Sequence, residues 1–291
     1  MEFRQFGDTG IEVSLMGFGA GHIGGGEMDE TTAGKLLNEV VDQGINLIDT
    51  ARSYGESESR IGKFLSHRRK EIVLSTKVGY TFRDYPDWSY DTTMGTLEES
   101  LQRMKTDYID IVHLHSCDKY FLEQGDAITA LEKAREQGKI RVIAYSGEND
   151  ALGYAISTGR FGSIQCSVNV FDQHGIDNQI ATAKSKNMGV IAKRPLGNSV
   201  WRYHSRPEGH GHAAYYDRMV QMNLDLDGIP WNELALRFAA FAPGVHSIIA
   251  GTANMDHLKE NLSLIKKGAL DSVTINQVRS AFINRDWEGL I

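Results

Sequence analysis

Eight short apolar runs, each followed by a stretch of helical period, constrain what this chain can fold into more than any other feature of its sequence. The runs are VSLMGF, INLIDT, IVLSTKV, YIDIVHLH, IRVIAYS, SIQCSV, GVIAKRP and HSIIAGT. They are rich in Val and Ile, as strands buried on both faces of a parallel sheet should be. Between the first two, Ala33, Leu36, Leu37, Val40 and Val41 recur at helical spacing, with Asp29 as N-cap and Gly44 as stop. Met94, Leu97, Leu101 and Met104 repeat the pattern after Thr92 or Thr93. Trp231, Leu234, Ala235, Phe238 and Ala239 do so after Pro230, and Leu258, Leu262 and Ile265 close the series.

Sequential βαβ units are right-handed and close most simply at eight, so the expected fold is a (β/α)₈ TIM barrel. A short hairpin around Asp8-Thr9-Gly10 precedes it. At 291 residues the chain suits one such barrel, and a single domain over 1–291 is expected.

The chemistry of the surface removes several function classes. The net charge of −7 comes with scattered basic residues, which argues against a nucleic-acid partner. Cys117 and Cys166 are too few for a disulfide framework and have no zinc-type spacing. MEFRQFGDTGIEVS carries charges where a signal peptide needs an apolar stretch, and no apolar run reaches membrane-spanning length. A cytoplasmic protein with no membrane partner is expected.

In such barrels active sites lie at the C-terminal ends of the strands. Asp49 ends the second run, Lys77 sits near the end of the third, His115 ends the fourth, and Tyr54 follows Asp49 by five residues. Three ionisable groups and a phenol therefore converge on one mouth. A Lys desolvated beside a Tyr favours the phenolate, and an Asp pairs with the Lys and keeps it charged, which makes Tyr54 a usable proton donor. A neutral His115 can hydrogen-bond a carbonyl oxygen and orient it. Taken singly, each residue has a structural reading: cap, ion-pair partner, core histidine or loop anchor. Their joint placement on three successive units favours catalysis.

IDTARSYG, STKVG and DYIDIVHLHS resemble the signature segments of the aldo-keto reductases, and the similarity runs from FRQFGDTGIEVSLMGFG to GTANMDHLKENL. The resemblance implies an NAD(P)H-dependent oxidoreductase using an Asp49-Tyr54-Lys77-His115 tetrad on a small carbonyl or sugar-like substrate. It places nicotinamide across the mouth near Gly19, Asp49, Ser146 and Gln165, and the adenosine end along Gly251, Thr252, Asn254, His257, Glu260 and Asn261. NADPH is implied as cofactor, with NADH possible. Two departures stand out. The family's Ser-Asn is here Ser146-Gly147, and its Tyr-Ser-Pro-Leu is Lys193-Arg194-Pro195-Leu196, which brings cationic side chains to the nicotinamide or phosphates. Where many members carry Lys and Arg for a 2′-phosphate, this chain has Gly251 and His257. His22, Trp88, Tyr120 and Trp201 are candidates for the substrate wall.

Three other readings compete. Gly19-Ala20-Gly21-His22-Ile23-Gly24 is a GxGxxG after a strand, but four residues intervene before the Asp29 cap, so no helix opens where pyrophosphate would need it. These glycines read instead as a mobile loop beside the pocket. His113 and His115 share a strand face and could ligate a metal in a barrel hydrolase, yet later strands end without further ligands. His113 reads as a core residue, and no metal is expected. His204, His210 and His212 lie in a stretch that reads as a solvated loop. A cofactor-binding regulatory or sensor protein on the same barrel, with little turnover, is the non-catalytic alternative.

Overall fold

In the computed structural model, residues 1–225 and 228–290 are described. Strands β1 (Phe3–Gln5) and β2 (Glu12–Ser14) pair antiparallel and form the expected hairpin. Its turn uses Gly7 and Gly10 at positive φ. Eight parallel strands then close into a barrel: β3 (Met16–Gly19), β4 (Leu47–Asp49), β5 (Val73–Val78), β6 (Ile109–His115), β7 (Ile140–Ser146), β8 (Ser163–Ser167), β9 (Gly189–Lys193) and β10 (Ser247–Ala250). Closure comes from β10, which pairs with both β3 and β9. Each strand lies within one of the eight apolar runs or extends it by a single residue. In the first run, Val13 and Ser14 belong to the hairpin rather than the barrel.

Side chains alternate across a strand, and that period decides what fills the barrel. Leu47, Val73, Ile111, Val142 and Ile191 form an apolar cluster at the N-terminal end, plugged by Phe6, Ile11 and Val13 of the hairpin. Two residues further along, the same inward positions become Asp49, Ser75 and His113, and then Lys77 and His115. The interior therefore changes from hydrocarbon to hydrogen-bonding groups toward one mouth. The opposite strand faces pack against the helices, which contribute Leu36, Leu37, Val40, Leu97, Leu131 and Leu234 to a second, larger core.

The helix Glu30–Asp42 begins as expected, with the Asp29 carboxylate accepting from the Thr32 amide at 2.9 Å. The next expected start needs correction. Helix Tyr90–Met104 is capped by Ser89, and Thr92 and Thr93 lie buried inside it. The series also does not close at Ile265: a further helix, Ser272–Ile283, follows helix Met255–Ile265. The His-bearing stretch read as a loop contains helix His210–Met222, in which His210 and His212 form the first turn. The glycine run after β3 is not an open loop either, since Ala20–Ile23 forms a 3₁₀ turn.

At the N-terminal end of the strands, Asp110 accepts from Arg69 at 2.7 Å, Arg141 at 2.8 Å and the Leu74 amide at 2.9 Å, and it is 2% exposed. Removing the carboxylate leaves two guanidinium groups unpaired. Asp110→Ala should therefore cost about 2–3 kcal/mol in denaturant unfolding, less than the roughly 3–5 of a fully buried pair because Arg141 is half exposed. Turnover per folded molecule should not change, because the candidate residues Asp49, Lys77 and His115 lie at the other end of the barrel.

Candidate active site

The Lys77 Nζ donates to Asp49 Oδ2 at 2.6 Å and to the Thr50 carbonyl at 2.7 Å. Asp49 Oδ1 accepts from the Ser75 hydroxyl at 2.7 Å and from Gln165 Nε2 at 2.9 Å, and Ser146 donates to Gln165 Oε1 at 3.0 Å. The Ser75 hydroxyl is already committed to Asp49, so it accepts from His113 Nε2 at 3.1 Å. His113 is thereby a hydrogen-bonded core residue. Register explains the convergence, since Asp49 pairs with Ser75 and Lys77 with His113 across neighbouring strands.

Tyr54 lies in the loop after β4, its ring centroid 5.2 Å from Lys77 Nζ and 6.3 Å from the His115 ring. The glycines after β3 allow this placement. A Cβ on Gly24 would stand 1.8 Å from the Tyr54 carbonyl oxygen, and Gly21 lies under the ring. The run therefore serves close backbone approach, with no helix opening from it. On the far side, Tyr80 meets His115 edge-on at 5.3 Å and Trp88 Nε1 donates to the His115 carbonyl at 3.2 Å.

Burial works against every charge here, and the neighbours decide the outcome. Desolvation alone would discharge Lys77, but Asp49 holds it above the usual lysine range. Desolvation likewise raises Asp49, and the Lys77 charge overcomes it, leaving the carboxyl below its ordinary value. His115 has no such partner. Burial, then Lys77 and Lys193, push it down to about 3, so its imidazole is neutral at physiological pH.

Beside this cluster runs a groove of about 920 Å³, of the size small-molecule and cofactor sites occupy. Gly19, Asp49 and Tyr54 line one end. Arg194, Pro195 and Leu196 line a wall, and Gly251, Thr252, Asn254, His257, Glu260 and Asn261 line the remainder. Ser146 and Gln165 are buried beneath, against Asp49. Sequence reasoning missed Arg202, His212 and Asn232, which also face the groove. Asn232 donates to Glu260 Oε1 at 2.6 Å. Arg202 and His212 were hidden because their segment gave no strand or metal pattern.

The glycines at two of the departures from the family pattern have local causes. A Cβ at Gly147 would stand 2.3 Å from the Tyr145 hydroxyl, which fills the space that an Asn side chain would need. At Gly251 a Cβ would meet the Gly19 carbonyl at 2.7 Å and His22 at 2.8 Å. Lys193 and Arg194 diverge: Lys193 turns inward to Glu148 at 3.1 Å, and only Arg194 faces the groove. Asn149, two residues after Gly147, bonds to Gly289.

The four substrate-wall candidates do not form one surface. His22 and Trp201 line the groove, where Trp201 stacks on Trp231 at 5.9 Å. Trp88 lies on the opposite side, against Tyr80 at 4.9 Å and Phe121 at 4.8 Å. Tyr120 is 64% exposed and touches Phe121. Tyr80 and Phe121 were missed, although Tyr80 follows Lys77 by three residues at a strand end, where the barrel rule would have found it.

The profile of the Aldo/keto reductase family matches residues 15–283. The chain belongs to that family. It is 28% identical to an L-galactose dehydrogenase of Arabidopsis thaliana, over 96% of this chain and 94% of the relative. An NADH-specific methylglyoxal reductase of Escherichia coli shares 24%, over 94% and 96% of the two chains. Among solved structures, the holo form of an aldo-keto reductase from Bacillus halodurans superposes with a TM-score of 0.84 at 26% identity, covering 97% of this chain and 96% of that one. This aldo-keto reductase is accordingly an NAD(P)H-dependent oxidoreductase acting on carbonyl or alcohol groups. Among the described residues no helix is long and apolar enough to cross a membrane, and no group of three or more His, Cys, Asp or Glu could hold a metal.

Two desolvated histidines set an acid limit on stability. His113 is also pushed down to about 3 by burial, so both stay neutral in the fold while the unfolded chain protonates them near 6.5. Between about pH 6.5 and 3 the unfolded state therefore binds more protons, and stability should fall as pH drops through that window. Denaturant midpoints measured from pH 7 to 4 should decline, and an NMR titration of His115 should show no ionisation near 6.5.

Proposed function

We propose that Tyr54 is the proton donor, His115 the group that orients the substrate carbonyl, and Lys77 with Asp49 the pair that stabilises charge on Tyr54. The observation that carries this reading is the Lys77–Asp49 ion pair, buried directly behind the Tyr54 ring. When bound, the nicotinamide would supply or accept the hydride. Its fit rests on the groove beginning at Asp49 and Tyr54 and on the glycine contact of Gly19 with Gly251 at its floor. Gln165 and Ser146 would hold the carboxamide end, and Arg194, Pro195 and Leu196 the wall above it. Thr252, Asn254, His257, Glu260 and Asn261 would take the adenosine end at the start of helix Met255–Ile265, where backbone N–H groups favour an anion.

In the reduction direction the carbonyl oxygen accepts from Tyr54 and from His115. The neutral imidazole can donate without delivering a full charge. As negative charge grows on the oxygen, Tyr54 gives up its proton, and the resulting phenolate is stabilised by Lys77 behind it. Asp49 keeps Lys77 charged throughout. In the oxidation direction the same groups act in reverse.

For NADPH, which the resemblance implies, this chain has no Lys or Arg at positions 251 and 257 to meet a 2′-phosphate. The groove instead offers Arg202 and His212 to phosphates, and Glu260, fixed by Asn232, to ribose hydroxyls. Dual use of NADPH and NADH follows as the preferred reading, with dissociation constants within about tenfold of each other. The aromatic group of Tyr80, Trp88 and Phe121 beside His115 suits a sugar-like or other carbonyl substrate with an apolar face, in keeping with the sugar named for the plant relative. Two free, buried cysteines fit a reducing, cytoplasmic setting, and we read the chain as one domain.

Replacing Tyr54 by Phe removes only the hydroxyl. The variant should lose about 10²–10⁴-fold in kcat while its fluorescence titration with NADPH or NADH stays close to wild type. Full activity in Tyr54→Phe would overturn the assignment. Tight cofactor binding with no turnover of any carbonyl in the wild-type protein would favour the sensor reading.

A further inference from the structure

The C-terminal segment 286–290 lies against side chains from four different places at the barrel mouth. Arg218 donates to the Glu288 carbonyl at 2.7 Å. Asn149 clasps Gly289 from both sides, donating to its carbonyl at 3.0 Å and accepting from its amide at 2.9 Å. Asp172 accepts from the Leu290 amide at 3.0 Å. The Leu290 carbonyl in turn accepts from Arg194 Nη1 at 2.6 Å. Every main-chain polar group from the Glu288 carbonyl to the Leu290 carbonyl is therefore bound by a side chain, and the last of these side chains is Arg194.

Arg194 is an unusual place for a side chain to be fixed. Its φ is +54°, a left-handed value that an L-residue seldom adopts, and Pro195 follows it, which ordinarily demands an extended residue. Among the described residues its guanidinium makes one hydrogen bond, the one to Leu290, and the group faces the groove. A long side chain with one tether has its direction set by that tether, and its other N–H groups are left for a ligand.

We propose that the C-terminal segment is a positioning element for the cofactor: docked on Asn149 and Asp172, it presents the Leu290 carbonyl to Arg194 and aims the guanidinium into the groove. The inference rests on the reading that Arg194 meets the cofactor. The cost of ordering Arg194 is met in the free protein, so cofactor binding does not bear it. Neither Asn149 nor Gly289 lines the groove.

The test is a double-mutant cycle on the full chain, read as dissociation constants for NADPH and NADH by protein fluorescence. Asn149→Gly removes both contacts to Gly289 and suits the left-handed backbone at that position, where φ is +53°. Gly289→Val provides an independent wedge, since a Cβ there would stand 3.0 Å from Asn149 Oδ1 and 3.3 Å from Glu148 Oε2. Each variant should weaken cofactor binding about tenfold. Arg194→Ala should weaken it at least as much, and Asn149→Gly combined with Arg194→Ala should be no weaker than Arg194→Ala alone. A merely structural tail would lower the thermal midpoint and leave the two substitutions additive. Wild-type affinity in both Asn149→Gly and Gly289→Val, or additivity in the double variant, overturns the proposal and leaves the Arg194 reading standing. Wild-type affinity in Arg194→Ala overturns both.

Discussion

Two opposite charges enclosed within the barrel, Lys77 and Asp49, are the constraint on which the rest of this structure depends. Their side chains are 3% and 2% exposed. An ion pair so enclosed loses more in desolvation than it regains unless the remaining hydrogen-bonding capacity is filled. Here it is filled. Ser75 and Gln165 saturate the second carboxylate oxygen, and the Thr50 carbonyl takes another ammonium proton. Those partners come from β5, β8 and the end of β4, so the pair can be satisfied only when the barrel is closed. Fold and site are in this sense one requirement.

The polar layer also explains why the inward face cannot be hydrocarbon throughout. The hairpin end excludes water with Phe6, Leu47 and Ile111, and on the proposed reading the mouth meets a carbonyl and a dinucleotide. With a period of two along each strand, a few residues suffice to pass from one environment to the other. Ile111, His113 and His115 make that passage on a single strand: one apolar, one hydrogen-bonded within the core, one at the mouth. Spacing alone permits both histidines to ligate a metal, but the Ser75 hydroxyl engages His113 and the fold gives the two side chains separate tasks.

What could be read from the sequence follows from how local each determinant is. The eight strands were legible because burial on both faces leaves an uninterrupted apolar run, and the Asp29 cap because its bond spans three residues. Asp49, Lys77 and His115 were legible as strand ends, although their contacts are long-range. The start of helix Tyr90–Met104 was misread because Thr92 and Thr93 resemble caps as well as Ser89 does, and only the packing that buries them decides. Helix His210–Met222 was missed because glycine and histidine at its start suggest a loop. Gly147 and Gly251 show the limit plainly. A missing side chain says nothing about its cause until Tyr145 and His22 are seen to occupy the space.

The loop after β9 carries the final tension. Arg194, Asn198 and Ser199 all adopt positive φ, and all three line the groove. Left-handed backbone in residues other than glycine persists only where surrounding contacts enforce it, and it clusters where ligands bind. The need for enforcement is greater here because the chain carries a net charge of −7 and its cofactor is itself an anion. Long-range electrostatics therefore oppose binding, and two nearby lysines cannot help, since Lys77 is paired with Asp49 and Lys193 with Glu148. Attraction must come at short range, from guanidinium groups and backbone N–H groups held in fixed directions. On the proposed reading, a strained loop anchored from outside the groove supplies that direction.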